Sequence, residues 1–428
     1  MKYIDELLKG HEVEWKELGE VFSLVTDFTA AGSFASNAAN VQYKQEKSFA
    51  QLVRTTDLKS KFKNTDKFVY VDEHAYEYLW RVNLNEECLV LSNVGNCGEV
   101  YYIIPEVLPY AHNVLGPNAL LLRTTLGMNK FFYYWFLNSS FQNELGKITS
   151  NTGQTKFNKT NLKKILIPLP PLSVQEEIVR ILDKFTTLEA ELEAELDCRK
   201  RQYEYYRNQL LSFDMLNRGG QRLNNVSIMA LGEVGEFIRG KRFVKTDITT
   251  QGCPCIHYGE MYTYYGIWAN KSKSFISQTL VNKKNLRQAL TNDVIIVGAG
   301  ETIEDLGVGT AWLSQTPAVI HDACFIFRSS LNPKYVAYFT RTNNFHDQLR
   351  RHVSSGKISA VNAKGLSKIE IPVPPLSEQE RIVSILDKFD TLVNSISAGL
   401  PKEIELRRKQ YEYYRNQLLS FPEHKVSA

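Results

Sequence analysis

At 428 residues and 49.0 kDa, with 43% of residues hydrophobic, the chain is long enough for two or three domains, and a small disulfide-stapled scaffold is excluded. Lys and Arg number 51 against 47 Asp and Glu, so the formal net charge of +4 excludes a polybasic arm and leaves only local basic grooves for nucleic acid. Residues 1–10 carry Asp5, Glu6 and Lys9 in place of an apolar signal core, Cys88, Cys97, Cys198, Cys253, Cys255 and Cys324 are scattered, and no window approaches ~18 uninterrupted apolar residues. The expectation is a reducing cytoplasm and no membrane span.

In chain order, the first region opens with Leu18-Gly-Glu-Val21 and then a group of early cations, Arg54, Lys59, Lys61 and Lys63. The apolar run Cys88-Leu-Val-Leu-Ser92 meets a turn at Asn93-Val-Gly95, which reads as a strand. Aromatics at helical spacing predict a helix around residues 129–145. A loop from Lys147 to Lys164 follows, in which Lys156, Lys159 and Lys163 alternate with Asn151, Gln154 and Asn158 and no acid occurs.

The next segment, Ile167-Pro-Leu-Pro-Pro-Leu-Ser-Val-Gln-Glu-Glu-Ile-Val-Arg-Ile-Leu-Asp-Lys-Phe185, is the first copy of a repeat. It returns 204 residues later as Ile371-Pro-Val-Pro-Pro-Leu-Ser-Glu-Gln-Glu-Arg-Ile-Val-Ser-Ile-Leu-Asp-Lys-Phe389. Gln202-Tyr-Glu-Tyr-Tyr-Arg-Asn-Gln-Leu-Leu-Ser-Phe213 recurs unchanged at residues 410–421, displaced by 208, so four residues are inserted between. Fainter echoes match Leu18-Gly-Glu-Val21 to Leu231-Gly-Glu-Val234 and Lys130-Phe-Phe-Tyr-Tyr-Trp135 to Lys334-Tyr-Val-Ala-Tyr-Phe339. Each constant segment predicts a long helix: Leu-Pro-Pro keeps the chain extended, and Ser173 with Glu176, or Ser377 with Glu380, has capping-box spacing. Apolar residues then run Ile178, Ile181, Phe185, Leu188, Leu192, Leu196, Tyr203, Tyr206, Leu210 in one copy, with a matching stripe in the other. Gly399-Leu-Pro401 predicts a kink or brief break in the second helix only. Two such narrow stripes bury themselves most simply against each other, antiparallel and with approximate two-fold symmetry; the competing arrangement packs each helix on its own module.

The second variable region repeats the pattern. Asp293-Val-Ile-Ile-Val297 runs into Gly298-Ala-Gly300, and a helix is predicted over residues 333–351, so both modules are α+β. Its cations are Arg239-Gly-Lys241-Arg242, close before Tyr258 and the Tyr262-Thr-Tyr-Tyr265 turn, and a late group of Arg350, Arg351, His352 and Lys357. Long cations among amides and aromatics suit phosphate and base-edge contacts, and the early cations of the first module occupy a comparable position.

Catalytic signals are weak. Gly298-Ala-Gly300 lacks the ending of a phosphate loop, Asn332-Pro-Lys-Tyr335 reads as helix-start punctuation, and the Cys253, Cys255, His257 alternation, with His321 and Cys324 farther on, reads as strand. Glu301, Glu304 and Asp305 are the nearest approach to a Mg²⁺ carboxylate cluster.

The duplicated Ile-Pro-x-Pro-Pro-Leu-Ser-x-Gln-Glu, Ile-Leu-Asp-Lys-Phe and Gln-Tyr-Glu-Tyr-Tyr-Arg motifs resemble the specificity subunit of type I restriction-modification systems, over essentially the whole chain. The resemblance implies an α+β fold: two target-recognition domains in tandem, separated by two long helices packed as an antiparallel coiled coil with pseudo-two-fold symmetry. It divides the chain into an N-terminal segment (1–14), a first recognition domain (15–170), a first spacer helix (171–213), a second recognition domain (214–375), a second spacer helix (376–421) and a tail (422–428). It further implies that each domain reads one half of a split double-stranded DNA target and that the helices set the spacer. Two modification subunits dock on the helices, for which Tyr205, Arg207, Tyr413 and Arg415 are the expected surface. The chain would hold no catalytic residues, metal or cofactor of its own; S-adenosylmethionine, ATP and Mg²⁺ would belong to the modification subunits and, where present, restriction subunits. A self-sufficient nuclease and a DNA-free coiled-coil scaffold are the competing readings.

Overall fold

The computed structural model describes residues 3–150, 153–218, 226–300, 302–303, 305–354 and 358–422. Asn151, Glu301, Glu304 and Lys357 lie outside the described residues. The chain divides into two compact units, one of residues 1–191 with 405–428 and one of residues 192–404.

In the first unit, strands Leu24–Asp27, Ala119–Arg123, Cys88–Ser92 and Val100–Ile103 form an antiparallel sheet in that spatial order. The period of two along a strand divides the side chains between two cores. Leu89, Leu91, Leu120 and Leu122 face a core shared with Phe131, Phe136, Phe141 and Ile178. Cys88, Val90, Ala119 and Leu121 face a smaller sheet made of Val69–Val71, Ala50–Val53 and Asn113–Leu115. This two-sided burial explains why these strands read as continuous apolar runs.

The second unit repeats the plan. Gly235–Arg239, Cys324–Ser329, Val294–Val297 and Gly309–Trp312 lie side by side in the same order, with Trp268–Ala269 added at the edge. Val294, Ile296, Phe325 and Phe327 face one core, and Ile295, Val297, Cys324 and Ile326 face the other. Each module is closed by a short antiparallel pair, Glu14–Glu17 with Leu166–Leu169 and Ser227–Ala230 with Glu370–Val373, leading straight into the constant helix.

The first constant helix runs unbroken over Leu172–Leu210; the second is split into Leu376–Asn394 and Leu400–Leu418. The expected break is thus found, four residues earlier than Gly399 at its start, and Gly399 closes it at φ +82, where an added Cβ would lie 2.4 Å from the Thr391 carbonyl oxygen. Within the first unit, Phe185 stacks on Tyr414 at 5.3 Å between ring centres, while one turn later Glu189 accepts from Arg408 Nε at 2.6 Å. Ascending one helix descends the other, so the pairing is antiparallel. Within the second unit, Phe389 stacks on Tyr206 at 5.4 Å, and Asp390 accepts from Tyr203 Oη at 3.1 Å. Helix packs on helix in both units, and the arrangement in which each packs on its own module alone is ruled out.

Two local expectations are corrected. The capping boxes do not form: the helices begin at Leu172 and Leu376, so Ser173 and Ser377 already lie in the first turn, and the second helix takes Pro375 as its cap without a side-chain hydrogen bond. The motif glutamines organise the start instead. Gln175, 1% exposed, donates to the Pro170 carbonyl at 2.8 Å and accepts from Met128 N at 3.0 Å; Gln379, also 1% exposed, donates to the Pro374 carbonyl at 2.8 Å and accepts from Asn332 N at 2.9 Å. The aromatic-rich helices are each two helices, Asn129–Phe136 with Ser139–Ile148 and Pro333–Phe339 with Asn343–Arg350, because Asn138 and Thr342 cap the second of each pair.

Candidate nucleic-acid interface

Strand direction places one end of each main sheet in register: the end of Leu24–Asp27, the start of Ala119–Arg123, the end of Cys88–Ser92 and the start of Val100–Ile103. Two basic segments that follow other elements come back to this end and bring Lys59, Lys156 and Lys159 to it. Lys159 Nζ bonds Asp27 Oδ1 at 3.0 Å, and Lys59 Nζ bonds Glu99 Oε1 at 2.6 Å. Residues 153–157 are tied down here by Lys156 bridging Val94 and by Thr155 accepting from Gly95 N at 2.9 Å. Gln154, Lys156, Lys61 and Lys63 are exposed, and the three lysines have no ion-pair partner among the described residues. Lys61 and Phe62 both adopt left-handed backbone, φ 49 and 57, which closes the short helix Thr55–Lys59 with Lys61 N bonded to the Leu58 carbonyl and Phe62 N to the Asp57 carbonyl.

Two of these residues have structural work that sequence did not reveal. Arg54 holds Asp57 through Nε at 3.1 Å and Nη2 at 2.8 Å and also donates to the Lys67 carbonyl at 2.6 Å. Asn158 caps the turn Lys159–Leu162 by accepting from Asn161 N at 2.8 Å.

The corresponding end of the second sheet gathers the end of Gly235–Arg239, the start of Cys324–Ser329 and the end of Val294–Val297. Arg239 Nε donates to the Asp322 carbonyl at 3.0 Å, Lys241 reaches the Lys284 carbonyl at 3.4 Å, and Arg242 is exposed. The late basic segment arrives at the same end, because Ala299–Gly300 pairs with Ser359–Ala360 and Val361 N bonds the Gly298 carbonyl at 2.9 Å. Arg350 pairs with Asp347 at 2.6 Å on its own helix, and Arg351 beside it is exposed. Tyr258 is half-buried against His257 and His321, whose rings lie 4.6 Å apart beneath the Arg239–Arg242 turn. Burial pushes both imidazoles below the ordinary histidine value, so they stay neutral under this cationic turn. With Cys253, Cys255 and Cys324 they assemble no metal-binding set among the described residues.

One correspondence is corrected. Arg239–Arg242 follows the first strand of its sheet, and the segment in that place in the first module begins at Asp27, after Leu24–Asp27, and not at Arg54–Lys63, which follows a strand of the smaller sheet.

Away from the modules, Tyr205 and Tyr413 are 60% and 61% exposed. Arg207 and Arg415 are less available than expected: each lies over a tyrosine of its own helix, Tyr203 at 5.2 Å and Tyr411 at 5.3 Å, and each has an enclosed Nε without a partner among the described residues. Sequence also missed how modules attach. Asp183 accepts from Lys130 Nζ and Tyr134 Oη, both at 2.6 Å, and Asp387 accepts from Lys334 Nζ and Tyr338 Oη, both at 2.7 Å. The faint Lys-x-x-x-Tyr echo was the signal.

A family model described as the type I restriction modification DNA specificity domain matches residues 11–197 and again 224–406. The chain is 30% identical to the EcoR124I/EcoR124II specificity subunit of Escherichia coli, covering 99% of this chain and 98% of that one. It is also 30% identical to a putative type I specificity subunit of Haemophilus influenzae, covering 98% of each. Among solved structures, a chain described under complex assembly and conformational transition of the type I R-M system aligns with a TM-score of 0.59 at 16% identity, over 96% of this chain and 98% of that one.

Proposed function

From the premise that this chain belongs to the specificity subunits of type I restriction-modification systems, we propose that the two sheet ends described above are its DNA-reading faces, one per half of a bipartite target. The chain is the sequence-specificity component of such a complex and is itself non-catalytic: it binds DNA and assembles with other restriction-modification subunits. The observation that carries the placement of the faces is convergence. In each module basic segments distant in sequence meet at the same end of the main sheet: Lys59 on Glu99 with Lys156 beside Val94 and Lys159 on Asp27 in the first, and Arg239–Arg242 with the segment that leads into Ser359–Ala360 in the second.

In this reading residues 15–170 and 214–375 are the recognition domains, and Lys61, Lys63, Lys156, Arg242 and Arg351 grip phosphates, since exposed cations on loops neutralise backbone charge more often than they read bases. Lys59, Lys159, Arg239, Lys241 and Arg350, already held by protein groups, position those loops. The helices set the unread spacer; the first, 39 residues long, spans about 58 Å at 1.5 Å per residue. Two modification subunits dock on the constant helices, with Tyr205 and Tyr413 as exposed anchors, and bring S-adenosylmethionine chemistry; restriction subunits, where present, bring ATP and Mg²⁺. The complex works in the cytoplasm, and among the described residues no helix is long and apolar enough to cross a membrane.

The deciding experiment replaces residues 15–166 with the corresponding region of another specificity subunit and maps methylated adenines in cells that also make the modification subunit. One half of the methylated sequence changes and the other stays. A change in both halves overturns the modular reading.

A further inference from the structure

The first module follows its opening strand with sixteen residues, Phe28 to Tyr43, that contain no charge at all. Within them Phe34 is 92% exposed, more than any other large apolar side chain among the described residues. An apolar ring held in water is unfavourable unless something covers it, since burying a Phe is worth about 1.5–3 kcal/mol. The ring is not on a loose loop. Tyr78 Oη donates to Asn37 Oδ1 at 3.1 Å and lies 2.8 Å from Ser36 Oγ; Asn37 Nδ2 donates to the Phe28 carbonyl at 3.3 Å, and Arg81 Nη1 to the Ala30 carbonyl at 3.2 Å. Gly32 lets the chain pass so close to Tyr78 that an added Cβ would stand 2.2 Å from its hydroxyl. The amides and hydroxyls of this segment are therefore engaged in fixing it, and what they leave facing outward is Phe34, with Trp80, 64% exposed, carrying the Arg81 guanidinium 5.1 Å over its ring.

Two observations identify what covers Phe34. The segment is rooted at the sheet end where the basic loops converge, for Asp27, which opens it, is the residue held by Lys159. It also stands in the place that the second module fills with Arg239–Arg242. The neighbouring short helix Glu73–Tyr78 exposes Glu73 and Glu77, so this surface is not a phosphate clamp. We propose that Phe34 is a specificity-determining residue of the first half-site, an apolar wedge that contacts bases directly while cations nearby hold the phosphates. Apolar side chains presented rigidly to duplex DNA insert at base steps or pack on thymine methyl groups, and both discriminate sequence without charge.

The inference rests on the sheet ends being the DNA faces, and the test separates the two. Phe34→Ala, Phe34→Leu and Lys156→Ala are each assembled with modification subunits. Binding and methylation are measured on the cognate target, on targets altered in either half, and on DNA carrying 2-aminopurine in the first half-site. Phe34→Ala is expected to lose about ten-fold in preference for the correct first half-site, with second-half preference, salt slope and melting temperature unchanged, to lose any rise in 2-aminopurine emission on binding, and to be partly rescued by Phe34→Leu. If Lys156→Ala weakens binding while Phe34→Ala keeps full first-half discrimination, the wedge is wrong and the DNA face stands. If neither changes DNA binding, the DNA face itself is wrong. Loss of subunit assembly in Phe34→Ala with discrimination intact makes Phe34 a protein contact and overturns the inference.

Discussion

The two modules attach to their helices through the same residues but bury different chemistry beside them. Both seats use an aspartate taking a lysine and a tyrosine, and a glutamine taking a backbone amide. Next to the seat the first unit has Leu137 and Thr186, where the second has Arg341 and Asp390. Arg341 donates to the carbonyls of Gly266 at 2.9 Å and Gly309 at 3.1 Å, its Nε is enclosed without a partner among the described residues, and burial lowers its pKa despite Tyr203 and Asp390. An identical Gln-Tyr-Glu-Tyr-Tyr-Arg segment thus packs against an apolar neighbour in one unit and a charged one in the other. Constancy is required at the seat and not around it.

The largest test of that comparison is removal of the seat. Asp387→Ala strands the Tyr338 hydroxyl, whose side chain is fully buried, together with Lys334, and should cost about 2–3 kcal/mol after allowance for the partial exposure of the pair. Asp183→Ala should cost a similar amount in the first unit, because Tyr134 is equally enclosed. Hydrogen exchange resolved by peptide reads both; protection lost in the wrong unit, or in neither, breaks the equivalence. Smaller, and specific to the second unit, Arg341→Leu leaves two carbonyls and Asp390 poorly matched and should cost about 1–2 kcal/mol. Adding Asp390→Thr recreates the first unit's composition and should restore most of that loss in urea denaturation; simple additivity of the two changes would show that the pair is not coupled.

At the DNA faces the modules should behave alike. Lys156→Ala in one and Arg351→Ala in the other should each weaken binding to all sequences by a similar factor and reduce the slope of log affinity against log salt by about 0.9. An altered base preference with an unchanged slope would assign them to base reading. The smallest effect distinguishes the modules again. His257 and His321 have folded pKa values below their ordinary value of 6.5, so the unfolded chain binds protons first as pH falls. Their contribution is full above that value and is lost as pH drops through and below it. The second unit should soften on acidification in this window, and His321→Phe should remove part of the effect; equal softening of both units would point to carboxylates shared by the fold.

The helices and their order were legible because a repeated stripe and a Pro-Pro start are strong local signals, and the break near Gly399 followed from backbone chemistry. The start of each helix was not, since Ser-x-x-Glu has the right spacing two residues too late, and the residue that acts, Gln175 or Gln379, works through a module amide 47 positions away in sequence. The basic loops were visible as composition, but their convergence depends on strand direction, which composition does not carry. Arg54 read as a free cation because its hold on Asp57 depends on a geometry that the fold sets, and nothing in the sequence singled out Phe34, because an apolar letter does not state which way its ring points.

The lysine and tyrosine four residues apart that grip each helix aspartate act as a standard plug. A module keeps its place by presenting that pair and one backbone amide, and nothing in this fitting depends on which bases its loops read. Selection on target sequence is therefore uncoupled from selection on assembly. With the two twelve-residue stretches 202–213 and 410–421 identical in protein sequence, a crossover between the copies leaves the fitting intact wherever it falls within them. If each module reads its own half-site, a new DNA target comes with inheritance of a whole module, and the helix that receives it has to match only the residues beside the fitting, as Asp390 does for Arg341.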